Sequence, residues 1–119
     1  MRRWTANELI DANITDPAAQ ALAVRIHGRV SVKFSSDPKG REFDAVSHLY
    51  VAQYKPADYR IGSDFRNQAK ATFEWALQTG RRPYFHFEGP LKPEVIRKLQ
   101  EYGVRYGIQP TIDTRPLGG

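Results

Sequence analysis

Residues 41–55 read REFDAVSHLYVAQYK, two short runs of alternating apolar and polar side chains separated by Ser-His. Alternation with a period of two is typical of half-buried strands, so the stretch predicts adjacent strands over residues 42–46 and 49–55. With a two-residue turn between them, Val46 lies opposite Leu49. Four polar side chains then share one face of the hairpin. They are Glu42, Asp44, Gln53 and Lys55.

Before this hairpin, capping signals predict two helices and alternation predicts a strand. The capping box at residues 5–8 starts a short helix over residues 5–12. Asp16, followed by proline, starts a second helix that ends at Gly28, which we expect to be the left-handed residue. A strand over residues 30–34 then leads into the hairpin.

After the hairpin, helices alternate with strands. A three-stranded meander followed by helix–strand units predicts an α/β fold (α+β with a mixed sheet) flanked by helices. The predicted elements are a helix from Ser63 or Asp64 to Gly80, a strand over 83–87, a helix from Pro93 to Gly107 and an edge strand over 108–112.

Length and composition are those of an ordinary globular domain. The chain has 119 residues, of which 40% are hydrophobic and 26% charged. We therefore expect one domain over residues 1–119, with its core in residues 17–114 and a flexible tail over residues 115–119. The lack of cysteine excludes a disulfide scaffold, a cysteine-ligated zinc site and a thiol nucleophile. We expect no membrane segment, and export only within a larger carrier, because no long apolar run is present.

The charge balance favours an anionic partner. Eighteen Lys and Arg residues stand against 13 Asp and Glu, a net charge of +5. A basic domain is attracted to nucleic acid, because each phosphate contact releases condensed counterions. On charge alone, a solvated basic surface explains the balance equally well.

The polar face of the hairpin has a clear chemical use. The carboxylate of Asp44 and the amide oxygen of Gln53 are hard ligands of the kind Mg²⁺ prefers. Lys55, two residues further on, is placed to orient or deprotonate an attacking water and to offset charge on a phosphate. The alternative from the residues alone is an ordinary exposed sheet face with cross-strand charge pairs.

The spacing of Asp44 to Gln53-Tyr54-Lys55 resembles the PD-(D/E)XK nuclease signature, with glutamine in place of the usual glutamate. The predicted order of elements over residues 17–87 is similar to the core of that superfamily. A wider stretch resembles the restriction-endonuclease-fold toxin domains at the C-termini of bacterial polymorphic toxins (contact-dependent growth inhibition and Rhs carriers). The similar blocks are RIHG (25–28), GREFD (40–44), VAQYKP (51–56), FRNQA (65–69), TGR (79–81), YFHFE (84–88) and IDT (112–114).

This resemblance implies a role for each residue of the hairpin cluster. Asp44 is the principal metal ligand, and Gln53 is the second through its amide oxygen, with the backbone carbonyl of Tyr54 nearby. Lys55 is the catalytic lysine. The cofactor is Mg²⁺, with Mn²⁺ as a substitute.

The resemblance also implies supporting residues around that cluster. Glu8 is the candidate for a glutamate that completes the site from a preceding helix. Gln68 matches a polar position that supports the site or contacts substrate, and Glu42 offsets the charge missing at Gln53. Arg66 and Lys70, as basic residues, either follow a phosphate backbone or form a solvated face.

The function implied is a metal-dependent endonuclease acting on DNA or tRNA, as the C-terminal toxin of a secreted carrier that works in the cytoplasm of a target bacterium. A cognate immunity protein, acidic to match the net charge, is implied as well. One alternative is a basic nucleic-acid-binding domain without catalysis. Another is a metal-independent ribonuclease that uses His86 and Glu88 as acid and base.

Overall fold

The computed structural model describes residues 9–12, 16–56 and 59–117. Within them, six strands form one mixed sheet whose spatial order follows the chain. The first four strands are antiparallel neighbours, and the last two join in parallel, which confirms the predicted fold class. The elements are β1 (Leu9–Asp11), α1 (Pro17–Ile26), β2 (Arg29–Phe34), β3 (Glu42–Val46), β4 (Tyr50–Lys55), α2 (Ser63–Thr79), β5 (Arg82–Phe87), α3 (Pro93–Tyr106) and β6 (Thr111–Asp113).

The helices cover both faces of the sheet. Val51 packs with residues of α2, whereas its neighbour Ala52 packs with residues of α1. Because adjacent residues of a strand point to opposite faces, α1 and α2 lie on opposite sides. α2 and α3 are the crossovers that parallel strands require. In the described part of the chain, no helix is long and apolar enough to cross a bilayer.

The prediction of a helix over residues 5–12 is wrong for the part that the structure describes, residues 9–12. Residues 5–8, with the capping box, lie outside the described residues, and Leu9–Asp11 form a strand. Leu9 pairs with Phe34 of β2 and is buried, with 6% of its surface exposed. Pairing with a strand more than 20 residues away decides the conformation here, and it outweighs the local helix signal.

α1 begins as predicted but ends differently. The Asp16 side chain accepts a hydrogen bond from the Ala18 N–H at 3.0 Å. The left-handed residue at the end is His27, with φ of 59°, and not Gly28. Gly28 is needed for another reason: a Cβ there would meet the carbonyl oxygen of Val46 at 2.5 Å.

We expect Gly28→Ala to destabilise the protein by about 1–3 kcal/mol, because β3 must move to admit the methyl group. Gly62→Ala is the matched control. No atom lies within 4 Å of a Cβ at Gly62, so we expect a loss below about 1 kcal/mol there. Urea unfolding measures both, and equal losses would show that the contact with Val46 does not limit residue 28.

The last strand lies later in the chain than predicted. β6 covers Thr111–Asp113, whereas residues 108–110 precede it without strand structure. Pro110 has no N–H to give to a ladder, so the strand begins directly after it. β6 is an edge strand, as expected, because it lies at the end of the sheet beside β5.

A buried carboxylate ties β6 to the rest of the sheet. Asp113 accepts hydrogen bonds from the Tyr84 hydroxyl at 2.5 Å and from the Arg25 guanidinium at 2.9 Å. Burial alone raises the pKa of Asp113, but these bonds, with others from Arg115, outweigh it and hold that pKa well below its usual value. Burial and the bond to Asp113 raise the pKa of Tyr84 to about 12.

The register of the β3–β4 hairpin differs from the predicted one by two residues. Val46 pairs with Val51 instead of Leu49. The reason is the Ser47 hydroxyl, which accepts hydrogen bonds from the N–H groups of Leu49 and Tyr50 at 3.2 and 2.9 Å and stabilises a longer turn. A shift of two residues does not by itself move a side chain to the other face, so Gln53 and Lys55 stay on one face of β4. The prediction that Glu42 shares this face is wrong, because Phe43 packs with Val51 whereas Ala45 packs with Ala52, which breaks the alternation of β3 between them.

Candidate active site

An open cleft of about 530 Å³ lies where β3 begins and β4 ends, with α2 as its other wall. Most of the residues proposed for catalysis, metal binding or substrate contact line this cleft. Five lining residues were not predicted as site residues, and two of these five, Arg41 and Asn67, have polar side chains. The lining consists of Gly40, Arg41, Glu42, Phe43, Asp44, Gln53, Tyr54, Lys55, Asn67, Gln68 and Ala71.

Asp44 is a partly buried carboxylate held by the neighbouring strand. Its Oδ2 accepts a hydrogen bond from the Tyr54 N–H at 2.7 Å. Burial raises the pKa of Asp44, although the Tyr54 N–H and the charge of Lys55 oppose the rise. Asp44 therefore holds a proton more readily than an ordinary aspartate, and the site favours a compensating positive charge.

Lys55 lies at the end of β4 in a fixed position. Its Nζ donates a hydrogen bond to Oε1 of Gln68 on α2 and lies 5.5 Å from the centre of the Phe65 ring. Burial lowers the pKa of Lys55, although the charges of Asp44 and Asp64 oppose the change. Lys55 thus gives up its proton more readily than an exposed lysine does.

Gln53 lines the cleft with a polar side chain, and little of the residue is exposed to solvent. The residue is 4% exposed, and its carboxamide makes no hydrogen bond with another described residue. The amide atoms of Gln53 are not among the fully buried side-chain atoms that lack a partner, so they reach the open space of the cleft, where a ligand or an ion can contact them.

The lining residues of the cleft carry oxygen atoms of the kinds that a magnesium ion binds. Within the described ranges, no three acidic or histidine side chains are grouped closely enough to hold a metal. The donors are one carboxylate, Asp44, together with the neutral oxygens of Gln53 and Tyr54, and Glu42 is exposed at the rim. Mg²⁺ keeps several waters and needs few protein groups, so a set with one carboxylate suits it.

Several expected site residues lie elsewhere. Arg66 and Lys70 are on α2, and neither lines the cleft, although Arg66 is exposed next to it. Glu8 lies outside the described residues. The acidic group whose charge acts on Asp44 from α1 is Asp16, which the sequence marked only as a helix cap.

His86 is enclosed in the sheet. Its side chain has no exposed surface, and the ring stacks on Tyr54 with centres 5.7 Å apart. Nδ1 lies 3.3 Å from the Asp113 carboxylate, and Nε2 contacts the carboxylate of Glu88. A fully enclosed imidazole cannot reach a phosphodiester, which argues against a ribonuclease built on His86 and Glu88.

Comparison with known proteins gives one match. The model of a family described as restriction endonuclease fold toxin 3 matches residues 8–116. Neither the curated proteins nor the solved structures contain a match. The family match spans the sheet, the helices and the cleft, and it agrees with the mixed α/β architecture. The chain belongs to the restriction endonuclease fold toxin 3 family.

Proposed function

We propose that this protein is a Mg²⁺-dependent endonuclease that hydrolyses phosphodiester bonds in DNA or tRNA. The observation that carries the proposal is that Asp44, Gln53 and Lys55 line one cleft in a chain of a restriction endonuclease fold toxin family. Membership of that family indicates a nuclease toxin, and the side chains of the cleft are of the types that a metal-dependent nuclease uses.

The residues that would hold the ion are Asp44, through its carboxylate, and Gln53 and Tyr54, through neutral oxygens. When bound, Mg²⁺ polarises a phosphoryl oxygen of the substrate. Because Gln53 carries no charge, we expect weak binding of the ion until a substrate phosphate adds its own negative charge.

Lys55 acts on the water and on the phosphate. In its neutral form, favoured by the lowered pKa, the amine accepts a proton from the attacking water. In its charged form, the ammonium stabilises negative charge that develops on the phosphate. Gln68 holds Nζ in place through its hydrogen bond, so we assign it a positioning role.

Basic side chains near the cleft are suited to hold the nucleic-acid backbone. Arg66 and Lys70 lie four residues apart on α2, the helix that forms one wall of the cleft. Their charges contribute to the net charge of +5. We propose that they contact phosphates flanking the cut bond, a role that gives affinity without base preference.

We further propose that the domain reaches the cytoplasm of a target bacterium as part of a larger secreted carrier. A toxin that cuts nucleic acid endangers the cell that makes it, so we expect a cognate immunity protein. An acidic partner that covers the cleft suits the positive charge of the domain.

A cleavage assay tests the enzymatic proposal. Purified protein is incubated with supercoiled plasmid and with total tRNA, in Mg²⁺, Mn²⁺ or EDTA. We expect cleavage of at least one substrate in Mg²⁺ and Mn²⁺ and none in EDTA. Lys55→Met should lower the rate by about 100-fold or more.

Lys98→Met is the matched control, because it removes one positive charge from the surface of α3, where Lys98 pairs with Glu101 and lies 5.7 Å from the centre of the Tyr102 ring. We expect its rate to stay within about twofold of the wild type. Cleavage that persists in EDTA would contradict the metal requirement. Salt-sensitive binding without cleavage would favour the non-catalytic alternative.

A further inference from the structure

Ser31 holds a left-handed backbone in the middle of β2, where a strand is otherwise extended. Its φ is 48°, a conformation that residues other than glycine, asparagine and aspartate rarely adopt. The residue is 7% exposed, and its carbonyl accepts a hydrogen bond from the Ala12 N–H at 2.8 Å. Packing and the neighbouring backbone therefore hold a strained residue in place, as is common near functional sites.

Ser31 and Asp44 occupy corresponding positions of β2 and β3 at which the two strands form no pair. β2 and β3 keep one register on both sides of this position, with Val30 opposite Ala45 and Val32 opposite Phe43. The position between these two pairs belongs to Ser31 and Asp44. The strained residue thus occupies the position in β2 that corresponds to Asp44, the residue that supplies the main carboxylate of the cleft.

The alternation of side chains between the two faces of the sheet is broken in both strands at this position. The Val30–Ala45 pair packs with residues of α1 on one face of the sheet. The Val32–Phe43 pair, two residues along each strand, packs with Trp75 of α2 on the other face. In a regular strand, residues two apart lie on the same face. The alternation is therefore broken at Ser31 and Asp44.

This break in the alternation changes which groups the Asp44 side chain can contact. In a regular strand, a side chain stands perpendicular to the sheet. The carboxylate of Asp44 instead contacts the backbone of the next strand, where it accepts the Tyr54 N–H at 2.7 Å. We propose that Ser31 is a positioning residue. Its left-handed backbone breaks the alternation of the neighbouring strand β3 at Asp44, and this break directs the Asp44 carboxylate to Tyr54 and the cleft.

This inference rests on the proposed function for its effect on cleavage, but a measurement without substrate tests it as well. Threonine is branched at Cβ and tolerates a left-handed backbone poorly, whereas glycine tolerates it without strain. In Ser31→Thr we expect the Tyr54 amide to exchange with deuterium about tenfold faster or more, because it loses a charged acceptor. In Ser31→Gly we expect exchange within about twofold of the wild type.

The Arg82 amide, which donates to the Leu49 carbonyl at 2.7 Å, is the internal reference. Simple destabilisation speeds exchange at Arg82 and Tyr54 together, whereas loss of positioning affects Tyr54 alone. Asp44→Ala sets the rate expected without the acceptor. Selective loss of Tyr54 protection in Ser31→Thr supports the inference, and unchanged protection in the folded variant overturns it.

Kinetics supply the second readout. If the wild type cleaves nucleic acid, we expect Ser31→Thr to lower kcat by about 100-fold with little change in KM, and Ser31→Gly to keep kcat. A wild type without cleavage would overturn the proposed function, while Tyr54 exchange would still decide the role of Ser31.

A second pair of variants serves if Ser31→Thr does not fold. Ser31→Ala and Ser31→Gly both lack the hydroxyl, and they differ in their tolerance of a left-handed backbone. We expect faster exchange at Tyr54, relative to Arg82, in the alanine variant. Equal relative exchange in the two variants overturns the inference.

Discussion

Replacing Asp44 by asparagine should lower the rate of nucleic-acid cleavage by about 10³-fold or more and leave the protein at least as stable as the wild type. The loss of rate follows because the only carboxylate among the proposed metal ligands disappears, and with it several kcal/mol of charge stabilisation. The fold should persist, because the amide oxygen of asparagine can still accept the Tyr54 N–H that Asp44 binds at 2.7 Å.

The difference in stability between Asp44→Asn and the wild type should depend on pH in a defined direction. Burial raises the pKa of Asp44 in the folded protein, so the folded state binds this proton more tightly than the unfolded chain does. The wild type therefore loses stability as the pH rises from about 4 through the raised pKa, whereas the asparagine variant does not titrate there. We expect the melting temperature of Asp44→Asn, relative to wild type, to increase over that range and then level off.

Thermal melts in EDTA across this pH range, with plasmid and tRNA cleavage at neutral pH, measure both effects. Asp11→Asn is the control, because Asp11 is exposed and forms only a surface ion pair with Arg29. We expect the control to keep the wild-type rate. A variant at Asp44 that melts lower as the pH rises would show that the carboxylate stabilises the fold, contrary to its raised pKa.

Replacing Asp113 by alanine should have the largest effect on folding, a loss of about 3–5 kcal/mol. The carboxylate is 7% exposed and accepts hydrogen bonds from Tyr84 and Arg25. Its removal leaves the charge of Arg25 and the buried hydroxyl of Tyr84 without that partner. The melting temperature should fall by about 10 °C or more in a domain of this size.

The pH dependence of this effect has the opposite sign to that at Asp44. The folded pKa of Asp113 lies well below its usual value, so its contribution is complete above about pH 4 and is lost as the pH falls toward the folded pKa. The advantage of wild type over Asp113→Ala should therefore shrink in acid. Urea unfolding at several pH values measures this, with Asp11→Ala as the exposed control; a constant difference would contradict the lowered pKa.

Elements with strong local signals were predictable from the sequence. α2 begins at Ser63 and is capped by the left-handed Gly80, and α3 begins at Pro93 and is capped by Gly107, as the sequence signals indicate. β1 was not predictable, because its strand conformation depends on pairing with β2, far along the chain. The two-residue change in hairpin register depends on the Ser47 hydroxyl, an interaction that alternation does not reveal.

The cleft was predictable in part. The period of two places Gln53 and Lys55 on one face of β4 and survives a register change of two residues. Asp44 lines the cleft with them, although the alternation of β3 is broken at that residue. Their roles remain predictions. The influence of Asp16 on Asp44 and the hydrogen bonds of Asp113 join residues that are distant in sequence, so no local pattern marks them.

Crystals soaked in Mn²⁺ with a non-hydrolysable oligonucleotide test the metal site most directly, because manganese gives an anomalous diffraction signal. We expect an anomalous peak in the cleft next to the Asp44 carboxylate and the Gln53 carboxamide, and no such peak in crystals of Asp44→Asn. A peak only outside the cleft, or none with the oligonucleotide bound, would contradict the assignment of these residues to a metal-dependent nuclease.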